Sequence, residues 1–208
     1  MIRNLTNAAP RLRRVLPLAI LFLALGADAR AHTTMPGAGD FVNGMLHPVT
    51  VPAHVLILLG FGIALGQRKP FKPAHTLAVF APCAAIALAL TVRFNFTIPQ
   101  PALIGVALCA GTLVAIGRQL PFIAWAVLVA AGAAGMALDS GVENGGGATE
   151  VRMLVGTLVG LTVLFFTTAF YTSLALEQKK KWLDIGLRIA GSWIVAISLL
   201  MLAFALRK

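Results

Sequence analysis

Apolar residues occur along this chain in long runs, and short polar stretches rich in Pro, Gly, Lys or Arg separate the runs. A helix needs about 20 mostly apolar residues to cross a bilayer. The pattern therefore predicts an all-α, polytopic transmembrane helical bundle. Residues 32–208 are predicted to form a single transmembrane domain with six spans, near residues 48–66, 74–92, 101–117, 121–138, 151–176 and 185–206.

The first 31 residues have the pattern of a secretory signal peptide. A basic segment at 11–14 precedes an apolar segment at 15–25, and Ala29-Arg30-Ala31 has the small residues of a cleavage site. Residues 1–31 are therefore predicted to be a signal, and cleavage would make His32 the first residue of the mature chain. A free amine and an imidazole could then bind one metal ion together. The alternative is an uncleaved anchor helix, which would make seven spans.

Composition agrees with a membrane protein and argues against a nucleic-acid partner. The chain is 59% hydrophobic and 12% charged, whereas soluble domains have roughly 25% charged residues. The net charge is +10, but most basic residues lie in the signal or in short loops, where they are better explained by topology than by phosphate binding. Cys83 and Cys109 lie inside apolar runs and form no CxxC motif.

The loops alternate in charge. The first, third and fifth loops after the signal carry an excess of Lys and Arg, namely Arg68, Lys69, Lys72, Arg118 and Lys179 to Lys181. The intervening loops hold Arg93 and Arg152, and the second of them also holds the acidic residues Asp139, Glu143 and Glu150. Because basic loops stay in the cytoplasm, this asymmetry predicts a multi-pass protein of the bacterial inner membrane with an extracytoplasmic mature N-terminus.

Small residues recur at a spacing that brings helices together. Gly62-x-x-x-Gly66 and Gly156-x-x-x-Gly160 each put two glycines on one helix face. Without side chains there, two backbones can approach closely. Both motifs are interpreted as sites of helix packing.

Two histidines lie where the chain passes from the predicted outer surface into the first span. His47 and His54 are seven residues apart, and in an unbroken helix that spacing covers about 10 Å, too far for easy chelation of one ion. Pro48 and Pro52 favour an irregular backbone, which could bring the imidazoles together. Imidazoles bind late first-row divalent metals well. The alternative for His47 is an interfacial or helix-capping role.

A second polar group ends the fourth span. Asp139 and Glu143 would share a face if the helix continued to Glu143, and both carboxylates could then reach one cation. Gly141 argues against that continuity, and a solvated acidic loop is the alternative. The predicted topology puts this group at the same membrane face as His47 and His54.

These segments resemble the hydrogenase and urease accessory membrane proteins of the HupE/UreJ type, which are considered nickel or cobalt permeases. The resemblance rests on Gly44-x-x-His47-Pro48, on His54, and on Gly141-x-Glu143. Three positions depart from the family pattern, because Ala53 replaces an Asp, Pro52 lies close to an expected Gly, and Ser140 replaces a His. Asp139 could compensate with an oxygen ligand.

The resemblance implies a secondary permease for nickel or cobalt that supplies metalloenzyme maturation, with metalloenzyme maturation proteins and the lipid bilayer as partners. Candidate metal ligands are His32, His47, His54, Asp139 and Glu143. No permanently bound cofactor and no enzymatic activity are expected, and the chain has no GxxxxGK[ST] motif for ATP. The alternative is a non-transporting accessory protein that hands metal to a metalloenzyme assembly.

Overall fold

The computed structural model describes residues 37–94, 98–141 and 147–207, and these contain seven α-helices. The signal at 1–31, His32 and Glu143 lie outside the described residues. In chain order the helices are α1 (Asp40–Thr50), α2 (Pro52–Gly66), α3 (Pro73–Thr91), α4 (Gln100–Ile116), α5 (Phe122–Asp139), α6 (Ala148–Glu177) and α7 (Lys181–Leu206). The all-α prediction is confirmed, and the helices overlap the predicted apolar runs.

Helix α2 is the centre of the bundle. Its sequence is apolar on every side, and a helix of this kind is expected to be buried all round. It packs on α1, α4, α5, α6 and α7. Ile57, Leu58 and Phe61 are fully buried. The other helices expose many large apolar side chains, among them Ile86, Ile123 and Val163, as expected for surfaces that face lipid.

The membrane-spanning capacity of the helices is clear for most of them. Four helices, α3, α5, α6 and α7, are long and apolar enough to cross a bilayer, and α1 with α2 passes the same test as a pair bent by 77°. Helix α4 is apolar but has 17 residues. The described part of the chain thus has four or five candidate spans, and the sixth span stays a prediction.

Glycines allow the closest contacts between helices. A Cβ atom at Gly156 or Gly160 of α6 would collide with the backbone carbonyl of Phe41 or Met45 in α1. Likewise, a Cβ atom at Gly62 or Gly66 of α2 would lie too close to side chains of α6. Both glycine motifs are therefore packing surfaces, as predicted. Gly62 and Gly66 join α2 to α6, and Gly156 and Gly160 join α6 to α1.

Helices α1 and α2 both run alongside α6 in its direction, whereas α2 to α7 alternate in direction, so most helix termini gather at two ends of the bundle. At one end Arg152, near the start of α6, binds Asp40 at the start of α1 through Nε and Nη2 at 3.0 and 2.8 Å. At the other end Arg68 donates to the Leu120 carbonyl at 3.1 Å. The first is called the histidine end here, because His47, His54 and Asp139 lie toward it, and the second the basic end.

Candidate metal site at the histidine end

The two candidate histidines flank a break between helices. Helix α1 ends at Thr50, Val51 is extended with φ −99° and ψ 110°, and α2 begins at Pro52. The residue before a proline avoids helical geometry, which explains the position of the break. The Thr50 hydroxyl donates to the His47 carbonyl at 2.8 Å and so satisfies a carbonyl near the end of α1. Pro48, also expected to disturb the helix, lies inside α1.

The break brings the two imidazoles together. The ring centroids of His47 and His54 are 5.9 Å apart, with an angle of 67° between the ring planes. This is far shorter than the separation expected for seven residues of unbroken helix. The sequence-based hypothesis that an irregular segment could unite the two histidines is therefore supported by the geometry.

His54 also contacts the second predicted polar group. Its Nε2 atom lies 3.1 Å from Asp139 Oδ2, although the residues are 85 positions apart in the chain. His54 is fully buried and the Asp139 side chain is 30% exposed. The prediction that both polar groups lie at the same end of the bundle thus holds for these two side chains.

For a neutral His54 ring, the contact with Asp139 assigns the roles of the two ring nitrogens. A neutral imidazole has one N–H and one lone pair, and a carboxylate accepts the hydrogen bond. We therefore assign the proton to Nε2, which leaves the lone pair on Nδ1. Nδ1 is buried and has no hydrogen-bond partner among the described residues. A histidine that binds a metal through one nitrogen and a carboxylate through the other has this same arrangement.

The end of α5 corrects one part of the sequence-based picture. Helix α5 ends at Asp139 and Ser140 is its C-cap, so the helix that would have put Asp139 and Glu143 on one face ends before Glu143, which lies outside the described residues. The Ser140 hydroxyl donates to the Met136 carbonyl at 2.7 Å and is occupied within its own helix. Of the residues that could replace the missing family ligands, Asp139 therefore reaches His54 and Ser140 does not.

Helix termini add to the charge around His54. The C-termini of α1 and α5 carry the negative ends of their helix dipoles, whereas α2 presents its positive end. Residue Asp139 is the last of α5. The balance of dipoles and carboxylate favours a cation near the two imidazoles.

The described residues do not complete a site of three close ligands. No group of three or more His, Cys, Asp or Glu side chains is close enough to hold one ion in residues 37–94, 98–141 and 147–207. His47, His54 and Asp139 instead form a chain of pairwise contacts. The remaining candidates, His32 and Glu143, belong to the parts of the chain outside these ranges.

Sequence reasoning missed several contacts that organise both ends. It treated Arg68 and Arg152 as topological charges, but Arg152 pairs with Asp40 and Arg68 lies 5.3 Å from the ring centroid of Trp125. Their partners are 112 and 57 residues away in the chain. No local spacing links residues so far apart, so only an explicit prediction of helix packing could have found these contacts.

The apolar helices and their exposed apolar surfaces define a multi-pass membrane protein, and its polar centre is a histidine–histidine–aspartate group at a helix break. The family model described as HupE / UreJ protein matches residues 20–201. The chain therefore belongs to the HupE/UreJ family of membrane accessory and nickel or cobalt transport-related proteins. No curated protein and no solved structure matches the chain.

Proposed function

We propose that this protein is a secondary permease of the bacterial inner membrane for a divalent transition-metal ion, with nickel or cobalt as the cargo. The single observation that supports this best is the approach of His47 and His54 across the broken helix. Ionisable groups are costly inside a membrane span and commonly mark the path of a transported ion. Transporters of known mechanism place their ion sites at broken helices.

The spacing of the imidazoles suits one shared ion. With metal–nitrogen bonds of about 2.1 Å, two imidazoles on one ion have ring centroids roughly 4.6 to 6.4 Å apart, depending on the angle between the two bonds. The observed 5.9 Å lies in that range. Nδ1 of His54 supplies one lone pair, and Asp139 holds the ring from the other side. Neutral imidazoles suit nickel and cobalt better than magnesium or calcium, which prefer oxygen ligands.

In this proposal the ion is captured from the extracytoplasmic side. His47 and His54 bind the ion, and Asp139 orients His54; His32 and Glu143, which lie outside the described residues, stay candidate ligands from the sequence. The ion then passes inward between the helices. Without an ATP site, uptake is driven by the membrane potential, by a proton gradient, or by trapping of the ion inside the cell.

Nickel uptake by cells that carry single alanine variants tests the role of the imidazoles. His47→Ala and His54→Ala should each reduce initial uptake by at least about tenfold, because each removes one nitrogen ligand. Cys109→Ala is a matched control, since Cys109 also carries a metal-binding atom but is exposed on α4. Its uptake should equal that of the wild type. Unchanged uptake in both histidine variants would exclude these residues from the mechanism.

Asp139 needs a separate test, because it contacts the Nε2 atom of His54, whereas the proposed metal ligand is the Nδ1 atom of the same ring. Asp139→Asn should weaken nickel binding to the purified protein by about 10- to 100-fold, as expected for the loss of an orienting carboxylate. Isothermal titration calorimetry measures the affinity. Asp184→Asn is the control, because Asp184 is an exposed carboxylate at the start of α7, at the basic end. Equal affinities for Asp139→Asn and the wild type would remove Asp139 from the site.

The second candidate is a metal-handover protein that binds the ion without transporting it. The absence of a three-ligand group among the described residues favours this candidate, because two imidazoles alone bind an ion loosely. Nickel flux into proteoliposomes separates the two functions. Binding with no flux above that of protein-free liposomes would support handover, and flux that depends on His54 would support transport.

A further inference from the structure

A second polar site lies at the basic end, away from the histidines. A cavity of about 200 Å³ opens between the loop that joins α2 to α3 and the start of α5. Four of its lining residues carry basic side chains, namely Arg68, Lys69, Lys72 and His75, and none of the described residues that line it carries a carboxylate. A concave surface with one sign of charge concentrates ions of the opposite sign.

Arg68 is held in place at the wall of this cavity. Its Nη1 donates to the Leu120 carbonyl at 3.1 Å, and its guanidinium carbon lies 5.3 Å from the Trp125 ring centroid. Burial lowers the pKa of Arg68 below its usual value, although an arginine side chain stays cationic in proteins. Within the described ranges no carboxylate forms an ion pair with it. A partly desolvated, fixed guanidinium gains strongly from an anion that enters the cavity.

Thr76 provides a buried hydrogen-bond donor at the same cavity. Thr76 is 3% exposed, and its hydroxyl accepts a hydrogen bond from Trp125 Nε1 at 3.1 Å. The hydroxyls of Thr112, Thr157 and Thr168 donate to the carbonyl four residues earlier in their helices. The Thr76 hydroxyl has no such acceptor among the described residues. Its hydrogen is therefore available to a ligand in the cavity.

The start of α3 adds backbone donors. The helix begins at Pro73, and its N-cap, Lys72, makes no side-chain hydrogen bond to the first turn. The N–H groups of the first turn are unsatisfied within a helix, and the positive end of the helix dipole lies there. Phosphate groups bind helix N-termini of this kind, especially beside basic side chains.

We propose that this cavity binds a phosphate group, supplied either by the headgroup of an anionic lipid or by a free phosphate compound. Arg68, Lys69 and Lys72 contribute charge, and the Thr76 hydroxyl and the first turn of α3 contribute hydrogen bonds. Basic pockets between transmembrane helices on the cytoplasmic side bind such headgroups in other membrane proteins. This proposal does not depend on metal transport.

Trp125 is a built-in reporter for this site because its ring touches both Arg68 and Thr76. The chain has three tryptophans, so a Trp182→Phe, Trp193→Phe background leaves Trp125 as the single tryptophan, which is excited selectively over Tyr171. The purified protein in a neutral detergent is titrated with phosphatidylglycerol, with phosphatidylcholine, and with inorganic phosphate. We expect saturable changes in Trp125 emission with phosphatidylglycerol, with inorganic phosphate or with both, and none with phosphatidylcholine.

Two double variants with the same net charge test whether the phosphate group binds in this cavity. Lys69→Gln with Lys72→Gln removes two lining cations that are exposed, so the fold should survive. Each lysine near a membrane surface contributes about 1 kcal/mol to binding an anionic lipid, so the pair should weaken binding by roughly 25-fold. Lys179→Gln with Lys180→Gln removes two cations from the same end that do not line the cavity. This control should bind as the wild type does.

The outcomes separate the sources and can overturn the proposal. Saturation by phosphatidylglycerol alone identifies a lipid headgroup, and saturation by inorganic phosphate identifies a site for a free phosphate compound. The proposal is wrong if neither titrant changes Trp125 emission. It is also wrong if both double variants lose the same affinity, because binding would then follow total charge and not this cavity.

Discussion

The two ends of the bundle hold their helices together by different sets of contacts. At the histidine end, α1 approaches α6 so closely that backbone touches backbone at Gly156 and Gly160, and the buried polar contact joins His54 to Asp139. At the basic end, arginines bind carbonyl groups: Arg68 reaches Leu120, and Arg188 reaches Ala115 and Ile116 at 3.0 and 3.3 Å. The histidine end depends on missing side chains, whereas the basic end combines a close approach at Gly66 with long cationic side chains.

The comparison shows that the Lys and Arg residues at the basic end do more than set the orientation of the protein in the membrane. In the described ranges, that end holds eight Lys and Arg residues and two acidic ones, whereas the histidine end holds three of each. The eight are Arg68, Lys69, Lys72, Arg118, Lys179, Lys180, Lys181 and Arg188. The positive-inside rule explains this excess as an orientation signal. Arg188 also satisfies carbonyls at the end of α4, and Arg68 satisfies a carbonyl in the loop before α5, which lowers the cost of ending one helix and starting the next beside lipid.

The largest effect is expected where backbone meets backbone at the histidine end. Gly156→Ala places a methyl group against the Phe41 carbonyl, and α1 must move away from α6. We expect a loss of about 3 kcal/mol or more of stability, measured as thermal unfolding in detergent. Gly105→Ala is the control, because a Cβ atom there meets nothing within 4 Å. Equal melting temperatures for the two variants would contradict the close approach of α1 and α6.

A smaller effect is expected at the basic end. Arg68→Lys keeps the charge but loses the planar group that stacks on Trp125 and the geometry that reaches the Leu120 carbonyl. These contacts suggest a cost of about 1–2 kcal/mol, which should lower the melting temperature and shift Trp125 emission. Arg118→Lys provides the comparison, since Arg118 is exposed at the same end. No difference between the two variants would show that Arg68 acts through charge alone.

The smallest effect is expected for the ion pair between Asp40 and Arg152. Their side chains are 34% and 56% exposed, and exposed pairs contribute about 0–1 kcal/mol because water screens them. A double-mutant cycle with Asp40→Asn and Arg152→Gln measures the coupling directly. We expect a value of about 0.5 kcal/mol that falls as salt is added. A coupling of several kcal/mol would mean that this pair, and not the glycine contact, holds the start of α1.

The sequence predicted the helices more completely than it predicted the site. Apolar runs and proline breaks placed the helices, because the bilayer imposes a length and a composition that can be counted along the chain. The break before Pro52 followed from a local steric rule. The contact of His54 with Asp139 was expected only as a shared membrane face. The lone pair of His54 could be assigned to Nδ1 only after the structure showed the contact between Nε2 and Asp139.

What the sequence by itself determined is therefore the class of protein, its helices, its glycine packing motifs and the candidate ligands His47 and His54. Each of these depends on residues that are close in the chain. Only the tertiary structure decided which groups meet, including Asp139 with His54 and Arg68 with Trp125 and Leu120. Such contacts depend on the relative positions and rotations of whole helices, and many long-range contacts together set those positions.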